Sequence, residues 1–296
     1  MRMAYGLGLS LLTALASTRV QAADTTFERQ VAAEPHGVVE ISNISGSVDV
    51  KGWDRAQVSV RAELESGIER VEVTSEHGHT IVRVVGSHPH GGEAELHVQV
   101  PKDSEVNVSA VSADVTSQGV QGIQRLSAVS GDVSAEIAGS DIEARTVSGN
   151  IRLKGRGQPA RLRVNTVSGD VHLERGAGDF EGGTVSGTFT LLLDSARSVR
   201  LRSTSGDMRF TGRLTRGATF EATSVSGDLG VRANAEGGFE YEVSSFSGDI
   251  SNCFNAQVER TSKYGPGHRL QGSLGQGAGH MRLKTMSGDI QLCDRT

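Results

Sequence analysis

The sequence has 296 residues, enough for one or two domains, with 35 acidic and 30 basic side chains and a formal net charge of −5. A mildly acidic chain lacks the basic surface typical of nucleic-acid-binding proteins, so no nucleic-acid partner is predicted. Glycine is frequent at 38 residues, but 5 prolines and 4% aromatic residues exclude a collagen-like chain and indicate a thin core of aliphatic side chains.

Residues 1–22 are predicted to be a secretory signal peptide. Arg2 precedes an uncharged apolar run over residues 4–16, and residues 20–22 fit the small-residue pattern before a cleavage site. The run is too short for a comfortable membrane span, and a retained N-terminal anchor is the alternative. No later run reaches membrane-spanning length. We therefore expect an exported protein, periplasmic or at the cell surface or extracellular, without a transmembrane segment after cleavage.

Residues 23–100 are predicted to form a β-rich N-terminal cap. Short apolar stretches separated by glycine-containing turns are typical of strands, and they occur at 38–41, 48–50, 58–64, 68–73, 80–85 and 94–100. A solenoid needs its open end covered, because bare strand edges template aggregation. The sequence leaves open whether this region is a separate small antiparallel sheet or a set of decorated first coils.

Histidines cluster in the same region, at His77, His79, His88, His90 and His97. Exported His-rich loops can bind copper or zinc, but the predicted strand over 80–85 would hold the first pair about 20 Å from the second. We interpret these histidines as solvated loop residues, and we predict no metal site and no cofactor.

A repeat of about 20 residues dominates the rest of the chain, and residues 101–296 are predicted to form a β-solenoid. The repeat is centred on Ser-Gly-Asp or a close variant, which begins at Ser112, Ser130, Ser148, Ser168, Ser186, Ser205, Ser226, Ser247 and Ser287. The last two copies lie two periods apart, and the missing copy would fall at Gly267. An outlying copy begins at Ser45.

Aligning the copies predicts which side chains face the interior. Apolar residues recur two apart, as in strands, with columns three residues after the Ser (Val133, Ile151, Val171, Phe189) and further upstream (Ile142, Leu162, Phe180, Val199). The residues directly before the Ser are also predicted to face inward: Val129, Val147, Val167, Val185, Val225, Phe246 and Met286. The preceding column is predicted to be an outward ladder: Thr146, Thr166, Thr184, Ser203, Ser224, Ser245 and Thr285.

This periodicity predicts an all-β fold, a single-stranded parallel β-helix. Two short strands per repeat fit one coil, and successive coils stack at about 4.8 Å, so that like residues form ladders along the axis. The phase of the alternation breaks around the motif Ser, which indicates a corner or bulge there.

The motif itself is interpreted as a turn signature. Gly permits a backbone turn that a Cβ would hinder, and Asp or Asn can bond neighbouring backbone amides. The structural turn residues are Ser130, Gly131, Asp132, Ser148, Gly149, Asn150, Ser168, Gly169, Asp170, Ser205, Gly206, Asp207, Ser226, Gly227, Asp228, Ser247, Gly248, Asp249, Ser287, Gly288 and Asp289. The alternative is a cation ladder of stacked aspartates, but calcium-binding solenoids use a much denser Gly/Asp pattern.

The two cysteines, Cys253 and Cys293, each lie six residues after a motif Ser. An even count in an exported protein favours a disulfide. If residues 254–283 form a full extra coil, the two Cα atoms would be about 9.6 Å apart, beyond bridging range. If that stretch bulges out as a hairpin, the cysteines are direct neighbours.

Several of these motifs resemble the "putative adhesin" family of bacterial β-strand-repeat proteins. The segment from Gly37 to Asp54 reads Gly-x-Val-x-Ile-x-Asn-x-Ser-Gly-Ser-Val-Asp-Val-x-Gly-Trp-Asp, and Val-Gln-Val-Pro-Lys over residues 98–102 and the repeated Thr-Val-Ser-Gly-Asp-Val are similar to the family as well. The resemblance covers about residues 37–293. It implies an exported repeat protein of unknown function with no established catalytic residues.

The sequence therefore predicts a non-enzymatic cell-envelope binding or scaffold protein, whose partner is an unknown envelope protein or glycan. No catalytic residues are predicted, because His172 and His268 are isolated and no nucleophile-elbow motif is present. The alternative is a β-helix carbohydrate-active enzyme, which would show an outer groove with two or three close carboxylates away from the turn ladder. A third hypothesis is an assembly role in which coil ends stack between molecules.

Overall fold

The computed structural model describes residues 25–87, 92–261 and 266–293. The regular structure in these ranges is all β, as predicted, and forms one sheet of 22 strands. The strands are β1 (Thr25–Ala32), β2 (Val38–Trp53), β3 (Gln57–Leu64), β4 (Ile68–Glu76), β5 (His79–Gly86), β6 (Ala94–Pro101), β7 (Glu105–Gln118), β8 (Gln124–Ser127), β9 (Val133–Ile137), β10 (Ile142–Arg145), β11 (Ile151–Gly155), β12 (Pro159–Asn165), β13 (Val171–Thr184), β14 (Phe189–Ser203), β15 (Met208–Ser224), β16 (Leu229–Ala235), β17 (Gly238–Ser245), β18 (Ile250–Asn252), β19 (Glu259–Arg260), β20 (His268–Gly275), β21 (Gly279–Thr285) and β22 (Ile290–Cys293). Within the described part of the chain, no helix is both long and apolar enough to cross a membrane.

Most strands stack in parallel and in register in two ladders. In ladder A, Ile142 of β10 lies between Gln124 of β8 and Leu162 of β12. In ladder B, Ile151 of β11 lies between residues of β9 and β13. One ladder B strand followed by one ladder A strand makes a coil, and the long strands contribute to both ladders. Residues 171–174 of β13 lie in ladder B and residues 177–184 in ladder A.

The core lies between the two ladders. The predicted inward columns three residues after the motif Ser and further upstream are buried there; Ile151, Leu162 and Phe189 are at most 1% exposed. Burying one such side chain contributes about 1.5–3 kcal/mol, and the repetition multiplies that gain along the axis. Phe210 and Phe220 meet edge to face with ring centroids 4.8 Å apart.

Two predicted columns are interchanged at the corner that carries the motif. The apolar residues directly before the Ser, predicted to face inward, are exposed, and the Thr and Ser residues before them, predicted to face outward, are only 2% to 8% exposed. The reason is that the alternation of ladder A continues one step further than expected. Ile142, Ala144 and Thr146 all point inward, so Val147 points outward. The inward–outward alternation is therefore interrupted at Ser148, which is exposed like Val147, and not at the residues before it.

At the N-terminal end, β2 forms a coil that stacks directly on β7. On its other side, β5 and β6 stack on β2, also in parallel. Antiparallel strands then end the stack, because β4 pairs with β5, β3 with β6, and β1 with β3. The six strand stretches predicted for this region are confirmed. The sheet runs without a break from this region into the repeats, and its outermost strands form an antiparallel cover.

At the C-terminal end, the coils do not stack in sequence order. β21 pairs in parallel with β15 on one side and with β17 on the other, and β22 likewise lies between β16 and β18. The last coil is therefore inserted between two earlier ones. Of the two arrangements that the sequence leaves open near Gly267, a full coil or a hairpin, the structure has the hairpin, because β20 runs antiparallel to β17 and, with β19, lies at the end of the stack.

The outward charges of ladder A match this inserted order. Read across neighbouring strands, one column alternates in sign at every step: Arg125, Glu143, Arg163, Glu181, Arg200, Glu221, Arg282 and Glu242. Stacking in sequence order would place Glu221 beside Glu242, and like charges on adjacent strands are destabilising. The inserted coil places Arg282 between them, with its Nη2 2.9 Å from Glu242.

Candidate functional site

The candidate site is the motif corner, where a close backbone approach fixes the glycine. A Cβ built on Gly169 would lie 1.7 Å from the carbonyl oxygen of Gly149, and one on Gly149 would lie 1.9 Å from that of Gly131. The motif glycines from Gly131 to Gly288 do not adopt the left-handed φ region, whereas Gly46 of the outlying copy has a φ of 107°. Glycine is required because each coil presses its Cα against the carbonyl of the coil before it, rather than because of a special turn conformation.

Hydrogen bonds between coils hold the corner backbone. The N–H of Ser148 donates to the carbonyl of Val129 at 2.9 Å, and Ser168 donates in the same way to Val147. The buried Thr column closes the remaining gap, because the Thr146 hydroxyl oxygen accepts from the N–H of Gly149 at 3.0 Å. Thr166, Ser203 and Ser245 accept the same bond, which gives their buried hydroxyls the partner that a buried polar group needs. The buried hydroxyls of Thr184 and Ser224 have no hydrogen-bond partner among the described residues.

The aspartate column bonds one coil to the next through its carboxylates. Oδ1 of Asp132 accepts from the backbone N–H of Asn150 at 2.8 Å, and Asn150 repeats this towards Asp170 at 3.1 Å. Desolvation works against ionisation of Asp132, but bonds from Asn150 and Arg152 outweigh it and lower its pKa below the ordinary value. The column thus has a structural task. Among the described residues, no group of three or more His, Cys, Asp or Glu side chains is placed to hold a metal.

The exposed apolar column forms a continuous surface that we name the corner ridge. In the order of the stacked coils it consists of Ile44, Val111, Val129, Val147, Val167, Val185, Thr204, Val225, Met286 and Phe246. Its apolar members are 41% to 56% exposed. Of the eleven large apolar side chains exposed in the described residues, nine belong to this ridge, and only Ile123 and Leu192 lie elsewhere. Exposed apolar surface is therefore concentrated in one line.

The two flanks of the ridge differ in charge. On the side of the motif, seven of the residues two after the Ser are aspartates: Asp114, Asp132, Asp170, Asp207, Asp228, Asp289 and Asp249. On the other side, the outward column of ladder A two residues before the ridge carries three cations, Arg145, Arg202 and Lys284, among neutral residues. Asp132 and Asp207 pair with Arg152 and Arg209, and Arg145 pairs with Glu143. The remaining aspartates on one flank and the remaining cations on the other still make the first flank acidic and the second weakly basic.

Sequence reasoning placed the ridge residues in the core and so missed this surface. The strict alternation of Ile142, Ala144 and Thr146 was the signal that could have found it, because it assigns Val147 to the outside. The polar character of the Thr column concealed that phase.

The two cysteines are bonded to each other at the C-terminal end. Cys253 and Cys293 form a disulfide with a Cα–Cα distance of 4.8 Å. Of the two arrangements left open by the sequence, the hairpin is the one observed, since residues 259–260 form β19 and residues 268–275 form β20, which pair antiparallel. The disulfide ties the inserted last coil to the outer coil beside it.

The described histidines of the N-terminal cluster lie beside acidic partners rather than together. His79 Nε2 is 3.3 Å from Glu40, and His97 Nδ1 is 3.5 Å from Asp49. His77 occupies a turn with φ of 50°. His88 and His90 lie outside the described residues.

One open groove on ladder A has the carboxylates expected of the enzyme alternative, lined by Glu221, Glu240 and Glu242. Each has a basic neighbour: Glu242 lies 2.9 Å from Arg282, Glu240 lies 3.3 Å from His280, and Glu221 lies 3.7 Å from Arg200. These glutamates belong to or adjoin the alternating charge column, which gives them a structural explanation.

Parallel coils in register with a Ser-Gly-Asp corner define an all-β strand-repeat protein. The chain belongs to the Toastrack DUF4097 family, whose model matches residues 39–293. The family resemblance drawn from the motifs is thereby confirmed. No curated protein matches the chain.

Several solved structures are similar to this chain at low sequence identity, and the first one below shares its fold. A "putative adhesin" from Parabacteroides merdae has a TM-score of 0.52 and 9% identity, covering 91% of this chain and 99% of that chain. A "putative lipid binding protein" from Parabacteroides distasonis has a TM-score of 0.48 and 11% identity, covering 90% and 96%. A "putative cell adhesion protein" from Clostridium sporogenes has a TM-score of 0.32 and 10% identity, covering 91% and 99%.

Proposed function

We propose that this chain is an exported, non-enzymatic binding or scaffold protein of the bacterial cell envelope. In this proposal residues 1–22 are a signal peptide and residues 23–100 a β-rich cap, in which β2 already stacks as a coil. Residues 101–296 are a single-stranded parallel β-helix with coils of about 20 residues, whose outer end carries the antiparallel β19 and β20. It contacts an envelope protein or glycan through the corner ridge and shares the adhesin-like character for which similar structures are named.

The corner ridge is the observation that carries this proposal. Its valines contribute little to the core, because they point away from it, and a polar residue would satisfy the backbone of the corner equally well, as Thr204 does. Aligned apolar exposure on a soluble surface marks an interaction site more often than a folding need. The disulfide supports export, because such bonds persist in oxidising compartments.

The test compares envelope capture by the wild-type protein and by a ridge variant. Val147, Val185 and Val225 are each changed to Thr, the residue that the column already accepts at position 204. The matched control changes Ile123 and Leu192, the two exposed apolar residues outside the ridge, to Thr. Pull-down from envelope extracts and glycan arrays should give ligands that the wild type and the control retain and the ridge variant loses. Blank results for the wild type, or equal capture by all three proteins, would count against the proposal.

A further inference from the structure

We propose that two copies of this chain associate side by side through the corner ridge, in parallel and with the coils in register. This inference rests on the proposed function, because it names a partner for the same surface. A second copy is favoured by the spacing, the charge and the area of the ridge.

The spacing of the ridge matches only a surface with the same repeat. Neighbouring ridge side chains belong to adjacent hydrogen-bonded coils, so they recur about every 4.8 Å over a length of about 43 Å. The backbone beneath them is fixed by Ser-to-Val hydrogen bonds between coils. A second copy offers the same side chains at the same interval, and identical β-branched rows can interdigitate to form a dry interface. An irregular partner would fit a few coils and lose register along the rest.

The charges beside the ridge select the orientation. If the two-fold axis runs along the coil axis, the aspartate flank of each copy faces the flank of its partner that carries Arg145, Arg202 and Lys284. If the copies run antiparallel, the aspartate column of one faces the aspartate column of the other. Juxtaposed like charges disfavour a wrong arrangement, so the parallel arrangement is preferred. A two-fold axis also closes the assembly at two copies.

The area agrees with a reversible dimer. The strip between the two flanking columns spans five residue steps, about 16 Å, and over the length of the ridge it covers about 700 Å² per copy. Standard interfaces bury about 800 Å² per partner, and smaller ones are weak or transient. We therefore expect dimerisation at micromolar concentration rather than an obligate dimer.

Sedimentation velocity of the purified protein over a concentration series tests the association. The wild type and the control with Ile123→Thr and Leu192→Thr should shift from monomer to dimer. The variant with Val147→Thr, Val185→Thr and Val225→Thr replaces six buried methyl groups per dimer by hydroxyls and should raise the dissociation constant at least about tenfold. A wild type that stays monomeric to millimolar concentration, or a ridge variant that dimerises as the wild type does, would overturn the proposal.

Thiol cross-linking tests the orientation. Val129 and Val225 occupy the third and the eighth of the ten ridge positions. In the parallel dimer, Val129→Cys links to itself and Val225→Cys links to itself, whereas mixing the two variants gives no link between them. In a centred antiparallel dimer only the mixture links, and that result would overturn the parallel arrangement.

These outcomes separate the inference from the proposed function. Sedimentation uses the purified protein alone, whereas the capture experiment uses envelope extracts. A monomeric wild type whose envelope ligand still depends on the ridge would remove the self-association and leave the binding function. If sedimentation shows no dimer and the capture experiment shows no ridge-dependent ligand, the self-association and the binding function are both rejected.

Discussion

The motif glycine is set by the carbonyl that faces it in the neighbouring coil. Gly169→Ala would bring a methyl group to 1.7 Å from the Gly149 oxygen, and only separation of the two coils could relieve this. We expect the free energy of unfolding to fall by at least about 3 kcal/mol, which is more than most single substitutions cost. Gly230→Ala is the matched control, since its Cβ would approach no atom closer than 3.9 Å. Urea unfolding of both variants checks this, and equal midpoints would contradict the stacked corner.

The aspartate column makes stability depend on pH in a defined direction. The pKa of Asp132 is lower in the folded chain, so its contribution is present above the unfolded value of about 3.9 and is lost as pH falls through the folded value. Asp132→Asn keeps an acceptor for the Asn150 N–H, as Asn150 itself does for Asp170. We expect it to be less stable at pH 7 by a fraction of a kcal/mol, because the site is partly solvated.

Thermal unfolding of the wild type and of Asp132→Asn across pH 2 to 7 measures this contribution. The difference in midpoint should narrow as the pH falls below about 4, because Asp132 is protonated first in the unfolded chain and only at its lower pKa in the folded chain. A difference that is constant over the whole range would contradict an ionised, bonded Asp132.

At the scale of single elements, the inserted C-terminal coil is the feature that distinguishes this chain from a simple winding. It leaves the outer coil covered by antiparallel β20 and places the chain's last strands inside the stack. Antiparallel strands therefore cover both ladders at the N-terminal end and ladder A at the C-terminal end, and capped edges protect β-proteins from edge-to-edge aggregation. Coil ends covered in this way offer little to an assembly that stacks end to end.

Engineered disulfides test the order of these strands. Glu221 and Arg282 are register partners on adjacent strands, whereas Glu221 and Glu242 lie on either side of the inserted strand. Oxidation of the Glu221→Cys/Arg282→Cys variant should therefore give a cross-link. The Glu221→Cys/Glu242→Cys variant should give none, because its Cα atoms are about 9.6 Å apart, beyond the reach of a disulfide. Peptide mapping under non-reducing conditions reads the result, and the reverse pattern would show that the coils stack in sequence order.

The sequence predicted the all-β class, the strand stretches of the N-terminal region and most inward columns, because two-residue alternation reports directly on a pleated surface. It did not predict the coil order at the C-terminal end, since parallel pairing between distant segments leaves no local signal. The alternating charges that end in Glu221, Arg282 and Glu242 are consistent with this coil order, but the alternation can be recognised only when the neighbouring strands are known. The ridge was missed because residue type and strand alternation disagree at the corner. The polar Thr146 and the apolar Val147 suggest that the first faces solvent and the second the core, whereas the alternation places them the other way round.

At the scale of the whole molecule, each motif corner has an inner side that packs against neighbouring coils and an outer side that is exposed to solvent. Hydroxyls of the buried Thr column donate to carbonyls of the neighbouring coil, and the motif glycines let those coils approach closely. The corner ridge turns a line of apolar side chains to solvent over about 43 Å. The repeat thus builds a long uniform surface from one short motif. The proposed binding function and the proposed dimer both depend on that ridge being outside.

Thiol labelling under native conditions measures which of the two neighbouring columns faces solvent. Val167→Cys and Thr166→Cys place a thiol at neighbouring positions, 42% and 5% exposed respectively in the wild type, and the native cysteines are bonded to each other. In dilute protein, Val167→Cys should react with a maleimide nearly as fast as in urea, and Thr166→Cys should react only on unfolding. Rapid labelling of Thr166→Cys together with protection of Val167→Cys would show that the ridge residues face the interior and the Thr column faces solvent.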